Sequence, residues 1–533
     1  MCRCWRVRVS LRCLRLCATF TPLLVLYPLA VLLGWRSLQL WWRLVLVAVR
    51  HSGPTVIKLA QWAATRRDLF SADFCTRFGR LQRNASERPW RETELILAET
   101  FGAQWRSLFR HFDVKPIGSG CIASVFKAAV NPVELARRTD SVLEGRLSSA
   151  YVPVAIKIAH NAVIETIQMD MSILASLAAL VQRCIPSLRY VNPVRCLHDF
   201  RKIMEKQVDL RHECCALKRF AHNFRRNPFV KFPTPLYCNA RVLIETFEEG
   251  LHVSHFIPPS PECGARLSPE SRRLNEHLSV AGVRAVCQMI FSDNFVHGDL
   301  HPGNILVQNR VKPEETAELV RSSGGLANAR WWIRNVFDTL KLMFTKRLAV
   351  NTGDTEVLTN GDKATEKHRS NNSSNKTPKI NNSDVFDASS LPILVFLDTG
   401  ITVELCRKDL LNFRSAFRAV VDGDGYRIGQ LLLEHAPDGQ QWCSEPERFC
   451  GDIERLLRTH ADGTKLSLKT LNVSRLLSDL LSIVSAHKVC LVPEYACVLL
   501  AVAVLEGLGR SLHPELDLLH CARPFVVAAC TTS

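Results

Sequence analysis

Twelve consecutive residues, Val296 to Val307, constrain this chain more than any other stretch: Val-His-Gly-Asp-Leu-His-Pro-Gly-Asn-Ile-Leu-Val. Asp299 is followed five residues later by Asn304, between apolar flanks, and Pro302-Gly303 rules out a helix across the middle. This is the form of a phosphotransfer loop. A carboxylate faces the attacking group, and an amide oxygen further along the loop holds a metal. Such a loop needs three partners elsewhere: an upstream lysine to anchor phosphates, a helix carboxylate to orient that lysine, and a downstream aspartate for the metal.

All three are present, in that order. Gly118-Ser119-Gly120 opens a stretch that alternates like a strand through Val125, and two glycines let backbone amides approach phosphates closely. Val154-Ala155-Ile156-Lys157-Ile158 is a short strand with an embedded lysine, Lys157, the arrangement that holds α- and β-phosphates. Residues 197–215 read as one amphipathic helix in which Asp209 and Glu213, four apart, share a face, and Glu213 is the expected partner of Lys157. Val242 to Phe247 reads as a buried strand leading into Glu248-Glu249-Gly250. In a two-lobed kinase the hinge that holds adenine lies here, which makes Glu245 a nucleotide-binding candidate. Leu394 to Gly400 is a second buried strand, ending Asp398-Thr399-Gly400, and Asp398 is the expected second metal ligand beside Asn304. His297 and His301 are four apart, but the Pro-Gly break removes helical metal-binding geometry, so both read as loop histidines framing Asp299.

Charge is uneven. Residues 1–67 hold eleven Arg and Lys and no acid, so of the net +17 only about +6 belongs to the rest of the chain. That distribution argues against a nucleic-acid protein and for a basic N-terminal address or membrane segment. Arg3, Arg6, Arg8, Arg12 and Arg15 in an acid-free start give the pattern of a mitochondrial transit peptide over 1–15. The uncharged run 16–35 follows, and its twenty residues span about 30 Å as a helix, one bilayer core. A single-pass anchor in the mitochondrial inner membrane is the expectation. Trp35, Trp41 and Trp42 would suit an interface belt. The twenty cysteines are scattered without paired Cys-x-x-Cys knuckles, as free thiols in a reducing compartment.

Lys58 and Gln61 lie three apart on a helical stretch, Thr55 to Thr65. About ninety residues separate the loop from Asp398. Within them, 331–347 reads as a helix with apolar and basic faces, and 351–390 is rich in Asn, Ser, Thr and Lys, a disordered composition. After Asp398 the pattern is helical, with Pro493 in the first turn of a helix that Glu506 to Arg510 should cap.

With these residues in hand, the chain resembles the UbiB/aarF-domain family of atypical kinases, also called coenzyme Q8-like proteins, over roughly 50 to 525. The resemblance rests on Lys58-x-x-Gln61 with Arg66–Asp68, Gly118–Val125, Lys157, Asp209, Glu213, His297–Asn304, Asp398 and Glu506–Arg510. It implies an α+β, two-lobed protein-kinase-like fold with an N-terminal helical extension, here preceded by a transmembrane helix. It also implies Mg2+ and ATP as ligands, a mitochondrial, plastid or bacterial-membrane setting, and a role in coenzyme Q (ubiquinone) biosynthesis or other lipid metabolism. By the same resemblance the extension folds over the site, with Lys58, Gln61, Gln207 and Asp209 as its contacts.

Four positions depart from the family pattern. The glycine of Lys-x-Gly-Gln is Ala60. The Glu-x-Asp is Gln207-Val208-Asp209. The usually alanine-rich nucleotide loop is Gly118-Ser119-Gly120, and Asp-Phe-Gly reads Asp398-Thr399-Gly400.

The expected layout is a targeting segment at 1–15, a span at 16–35, an extension at 36–110, an N-lobe at 111–250 and a C-lobe at 251–533 with an insertion at 308–390. Three readings follow. The first is a membrane-anchored atypical kinase or ATPase, with Asp299 as base or water-positioning group and a lipid or quinone-like small molecule, together with coenzyme Q biosynthetic proteins, as partners. The second is a protein or small-molecule kinase, supported by the Gly-Ser-Gly loop. The third is a non-catalytic, nucleotide-gated, lipid-binding scaffold. No arginine stands between His297 and Asp299, which removes the group that reads activation-loop phosphorylation in protein kinases.

Overall fold

A computed structural model describes residues 2–66, 69–82, 89–139, 151–185, 191–258, 268–308, 391–435, 443–460, 473–489, 491–516, 521 and 524–525. The expected helix at 331–347, the polar stretch 351–390, Arg67 and Asp68 lie outside these residues.

Two helices come first, α1 (Cys2–Leu32) and α2 (Trp35–His51), joined by a tight turn at Gly34, whose φ of 89° side chains rarely adopt. The second returns along the first: Trp41 Nε1 donates to the Leu23 carbonyl at 2.7 Å, and its ring lies 4.9 Å from Tyr27. Trp41 and Trp42 therefore pack inside this hairpin and against Phe74 and Phe78 instead of forming a belt. The chain does not break between 15 and 16: α1 runs through that boundary and ends at Leu32, short of the expected end at 35. Among the described residues, three helices are long and apolar enough to cross a membrane by length and composition, within 5–32, 163–184 and 493–512.

Next come α3 (Pro54–Thr65), α4 (Ala72–Phe78) and α5 (Trp90–Phe101). Val49, Ala60, Phe78 and Leu81 form a core that Phe20, Trp42, Leu46 and Ile57 complete, joining the hairpin to α3 and α4.

A six-stranded antiparallel sheet follows, from β1 (Phe109–Arg110), β2 (Gly118–Ser119), β3 (Ala123–Val130), β4 (Val152–Ala159), β6 (Pro235–Cys238) and β7 (Val242–Thr246), in the order β1-β3-β4-β7-β6 with β2 on β3. Helix α6 (Pro132–Thr139) follows β3. Between β4 and β6 run α7 (Asn161–Cys184), α8 (Pro193–Val208), α9 (Leu210–Asn223) and the short β5 (Val230–Lys231). Alternation sets the two faces of the sheet. Phe126, Ala128, Val154, Ile156, Ile158, Val242 and Ile244 face a core with Ile96, Leu97 and Trp105, while Val125, Ala155, Lys157, Leu243 and Glu245 take the other face.

The continuous helix expected over 197–215 is instead two. Asp209 leaves the helical region (φ −100°, ψ 104°), and its side chain accepts from Arg211 N, capping α9. Asp209 and Glu213 thus do not share a face of one helix.

A four-stranded sheet comprises β5, β11 (Ile393–Phe396), β10 (Ile305–Gln308) and β8 (Leu251–His252), in that order. Helix α10 (Pro269–Cys287) leads through a π-helical turn at Gln288–Ser292 to β9 (Val296–His297), which pairs with β12 (Thr402–Val403). Helices α11 (Arg407–Asp422), α12 (Gly425–His435), α13 (Pro446–Thr459), α14 (Val473–Ala486) and α15 (Pro493–Leu512) complete the described chain. The last helix runs through Glu506–Arg510, where a cap was expected. Gly509 there serves close packing: Ser279 Oγ of α10 donates to its carbonyl at 3.0 Å, and a Cβ would meet Leu516 at 2.5 Å.

The N-terminal helix is tied into this fold. Arg12 binds the fully buried Asp170 of α7 through Nε (2.7 Å) and Nη2 (2.9 Å), and Nη2 also donates to the Ser52 carbonyl. Arg8 adds a more exposed pair to Glu165 at 2.7 Å. Removing one partner of a buried pair strands the other, at about 3–5 kcal/mol. Arg12→Leu is therefore expected to lower the melting temperature clearly, and adding Asp170→Asn should restore part of the loss. An unchanged melting temperature in Arg12→Leu would show that the pair does not hold the helix.

Candidate functional site

Lys157 projects from the open face of the six-stranded sheet, with its ammonium 2.8 Å from Glu213 Oε1 on α9 and 2.8 Å from Asp398 Oδ1 after β11. Burial alone would lower the Lys157 pKa, but Asp398 and Glu213 outweigh it and hold the ammonium charged. Lys157 in turn holds the Asp398 carboxyl far below the usual carboxylate range. Burial pushes Glu213 upward, with Lys157 opposing. Glu213 is almost wholly buried, whereas about half of Asp398 meets solvent (5% and 49% side-chain exposure), so one carboxylate positions and the other remains available.

The segment carrying Asp398 is tightly built. Asp398 itself has φ +54°, a left-handed conformation uncommon outside Gly, Asn and Asp. Buried Thr399 donates to the Glu213 carbonyl at 3.4 Å. A Cβ at Gly400 would lie 3.3 Å from Asp398 Oδ1 and 3.4 Å from Glu213 Oε2, so a small residue there leaves room for both carboxylates.

The loop that carries Asp299 and Asn304 is fixed to this segment by His297, which is fully buried. The Asp299 N–H donates to its Nδ1 at 3.2 Å, so Nε2 carries the hydrogen and donates to the Leu397 carbonyl at 3.0 Å. Burial lowers its pKa and keeps it neutral. Asn304 Nδ2 donates to the Asp299 carbonyl at 3.1 Å, leaving its amide oxygen for a metal, and Leu397 N–H donates to the Asn304 carbonyl at 2.9 Å. Gly298 packs so closely on Ile401 that a Cβ would meet it at 2.7 Å. His301 accepts from Gly303 N–H and turns the loop after Asp299.

The glycine turn is tethered through Ser119 and Ser124, whose hydroxyls lie 3.4 Å apart, and Ser124 reaches His160 Nε2 at 3.2 Å. Leu59 and Trp62 of α3 pack on the hydrophobic cluster that contains Ile122, just beyond the turn, with the Trp62 ring 5.9 Å from Phe200 of α8. The Lys58 charge contributes to holding the Asp398 pKa down. Gln61 donates to the Leu81 carbonyl and Asp209 binds Arg211, so neither is joined to the other by a hydrogen bond. The Gln207 side-chain oxygen is buried with no hydrogen-bond partner among the described residues. At the expected hinge, Glu248 is anchored by Lys231 at 2.7 Å and Gln308 at 3.0 Å.

Glu245 shares the Lys157 face of the sheet, in register with Ala155. Burial, with Glu213 next, pushes its pKa up to about 8. Between the ordinary glutamate value and about 8 the folded chain holds a proton that the unfolded chain has lost, so this group weakens stability as pH rises across that window. Glu245→Gln is therefore expected to raise the melting temperature by about 2–4 °C or more at pH 7.5 and to change it little at pH 5. Equal effects at both pH values in thermal unfolding would exclude this protonation.

The donor set fits one kind of metal. Asp398 and Asn304 offer a carboxylate and an amide oxygen, and no group of three His, Cys, Asp or Glu among the described residues makes a metal cage. That suits Mg2+, which takes its remaining ligands from phosphates and water. Three contributions were not legible in the motifs: His297 as the bridge between the two aspartate segments, Thr399 as the tie to α9, and the packing of Trp62 beyond the glycine turn. The spacing His-x-Asp carried a trace of the first.

An ordered lysine, helix glutamate, loop Asp/Asn and strand-end aspartate define a kinase-like site. The sequence matches the ABC1 atypical kinase-like domain over residues 80–134 and 141–320 and the UbiB helical domain over 462–517, and the chain belongs to the ABC1/UbiB family of atypical kinases. It is 28% identical over 547 residues to a mitochondrial ABC1 family protein of Schizosaccharomyces pombe, covering 98% of this chain and 72% of that one. A mitochondrial ABC1 family protein of Saccharomyces cerevisiae is 28% identical, covering 97% and 74%. A probable protein kinase UbiB of Vibrio cholerae is 27% identical, covering 50% of this chain and 45% of that protein.

Proposed function

We propose that this chain binds Mg-ATP and acts as a mitochondrial, membrane-attached atypical kinase or ATPase serving coenzyme Q or related lipid metabolism. The observation that carries the reading is Lys157, held between Glu213 and Asp398 beside a loop that presents Asp299 and Asn304. Lys157 would hold the α- and β-phosphates, Asn304 and Asp398 the magnesium, and Asp299 would orient the attacking hydroxyl or water. The two sheets act as the two lobes, with Lys157 and Glu245 on one and the Asn304–Asp398 pair next to the other. The mitochondrial names of the yeast relatives support the compartment, the inner membrane being the expected site there, and the UbiB relation supports the quinone pathway. Proteins of coenzyme Q biosynthesis and a lipid or quinone-like molecule are the expected partners.

A second reading, transfer to a small molecule or protein, draws on the glycine turn, where a Cβ at Gly118 would meet nothing within 4 Å. The packing of Leu59 and Trp62 beside that turn favours the first reading, since a protein acceptor would have to share the mouth with α3.

The test is a thermal shift and turnover assay on the full chain in detergent and in liposomes. Mg-ATP at about a hundred times its Kd is expected to stabilise the protein by about 2.7 kcal/mol, and magnesium-free ATP by less. No shift with Mg-ATP would sink the reading. Label moving from ATP to an added acceptor, in place of phosphate release, would decide for the second.

A further inference from the structure

We infer that the α1–α2 hairpin is a monotopic anchor that lies in one leaflet of an anionic membrane, leaving the N-terminus and the catalytic domain on the same side. The inference rests on the membrane attachment proposed above, and replaces a single-pass span over 16–35.

The first ground is connectivity. A crossing helix would carry the N-terminus away from the domain. Here both ends of the hairpin are held on the domain: Arg12 of α1 binds Asp170 of α7 and the Ser52 carbonyl that follows α2. Between those ends α2 packs back along α1, through Trp41 on Leu23 and Tyr27.

The second is the distribution of apolar surface. Val7, Leu11, Leu14, Val25, Leu29 and Leu32 are all half or more exposed, from 50% to 83%. At 100° per residue these six fall within one sector of about 60° along a helix about 46 Å long, and towards the tip exposed Leu24, Leu26, Tyr27 and Val31 add apolar surface on its other sides, so the tip enters deepest. The stripe therefore begins on the half of α1 that is docked to α7 and runs to the tip. A span confined to 16–35 would leave Val7, Leu11 and Leu14 in water, with no account of their exposure. A helix lying in the membrane surface buries the whole stripe.

The third is charge. Arg36, Arg43 and Arg50 recur every seven residues on the solvent face of α2, beside exposed Leu40, Leu44 and Val47. No acid occurs in the first 67 residues. A spanning hairpin would draw Arg36 and Arg43 into the acyl layer, which is costly. In the interface the same arginines meet phosphate headgroups while the leucines enter the acyl boundary.

The experiment uses full-length protein with epitope tags at both ends, added to sealed vesicles of phosphatidylcholine with one-fifth phosphatidylglycerol. A photo-crosslinking residue is placed in turn at Leu11, Val25 and Leu32. Expected results are lipid crosslinks from all three positions, digestion of both tags by external protease, and a fall of roughly tenfold or more in vesicle partition for Leu11→Glu/Leu14→Glu. That variant alters exposed positions, so its melting temperature should match wild type; a second variant, Arg36→Gln/Arg43→Gln, should weaken binding to these vesicles but not to neutral ones. Lipid crosslinks from Val25 and Leu32 alone, with the N-terminal tag protected, would overturn the inference in favour of a single pass. Crosslinks from Leu11 to a second protein chain in place of lipid would overturn it in favour of an oligomer face. Wild type that does not bind vesicles at all would overturn membrane attachment itself, a separate failure from that of the topology.

Discussion

Asp299→Asn is expected to lower ATP turnover by on the order of 10^3-fold or more while leaving Mg-ATP binding nearly unchanged. The loop is held by its backbone and not by this carboxylate. The Asp299 N–H is taken by His297 Nδ1, and its carbonyl by Asn304 Nδ2. An isosteric amide therefore keeps the fold of the loop and removes only the charge that, in the proposed reaction, would orient the attacking oxygen. Initial rates of phosphate release, set beside the Mg-ATP thermal shift, separate the two properties. Binding retained with turnover lost supports chemistry at this site. If wild type and variant release phosphate equally slowly while both bind Mg-ATP, the chain is a nucleotide-gated scaffold.

Asp398→Asn should remove both properties, with turnover falling by on the order of 10^3-fold and the magnesium-dependent part of the thermal shift lost. Here again the substitution is clean for backbone reasons: at φ +54° asparagine is tolerated as aspartate is. What changes is charge. Lys157 loses the carboxylate at 2.8 Å on one side and keeps Glu213 at 2.8 Å on the other. The effect on folding stability should be small, because the Asp398 side chain is 49% exposed and water screens the pair. Its direction with pH is fixed. The folded carboxyl sits below its ordinary value, so its stabilising contribution is full above the unfolded pKa and fades as pH falls into the acid range. Magnesium-dependent turnover surviving in Asp398→Asn would remove this residue from the metal site.

What could be read from the sequence follows from how local each signal is. Lys157 and the segment ending at Asp398 were legible because short buried strands and their terminal residues are written in adjacent letters, and the structure places Lys157, Glu213 and Asp398 in one ion-paired cluster. The break at Asp209 was not legible as a break. Amphipathic periodicity continues across it, and the deciding hydrogen bond, from Arg211 N to the Asp209 side chain, competes with the helix only locally. The reading of Glu506–Arg510 as a cap failed for the opposite reason. Its Gly509 answers to Ser279, more than two hundred residues away, and not to its own helix. The N-terminal segment looked like two pieces because Arg15 divides basic from apolar composition. The partner of Arg12 within it, Asp170 on α7, belongs to tertiary structure alone.

The β10–β11 pair has a consequence for the long stretch that separates Asn304 from Asp398. Ile305 to Gln308 pair residue for residue with Phe396 to Ile393, and the Leu397 N–H closes onto the Asn304 carbonyl. The described chain on either side of that stretch is thus joined at one rung, Gln308 opposite Ile393. The spacing of Asn304 and Asp398 is set on the near side of that rung. A flexible insertion placed beyond that rung would cost loop-closure entropy, which grows slowly, by about 0.6 kcal/mol per doubling of length. Evolution could lengthen or rewrite that stretch while the reaction geometry stayed under separate control.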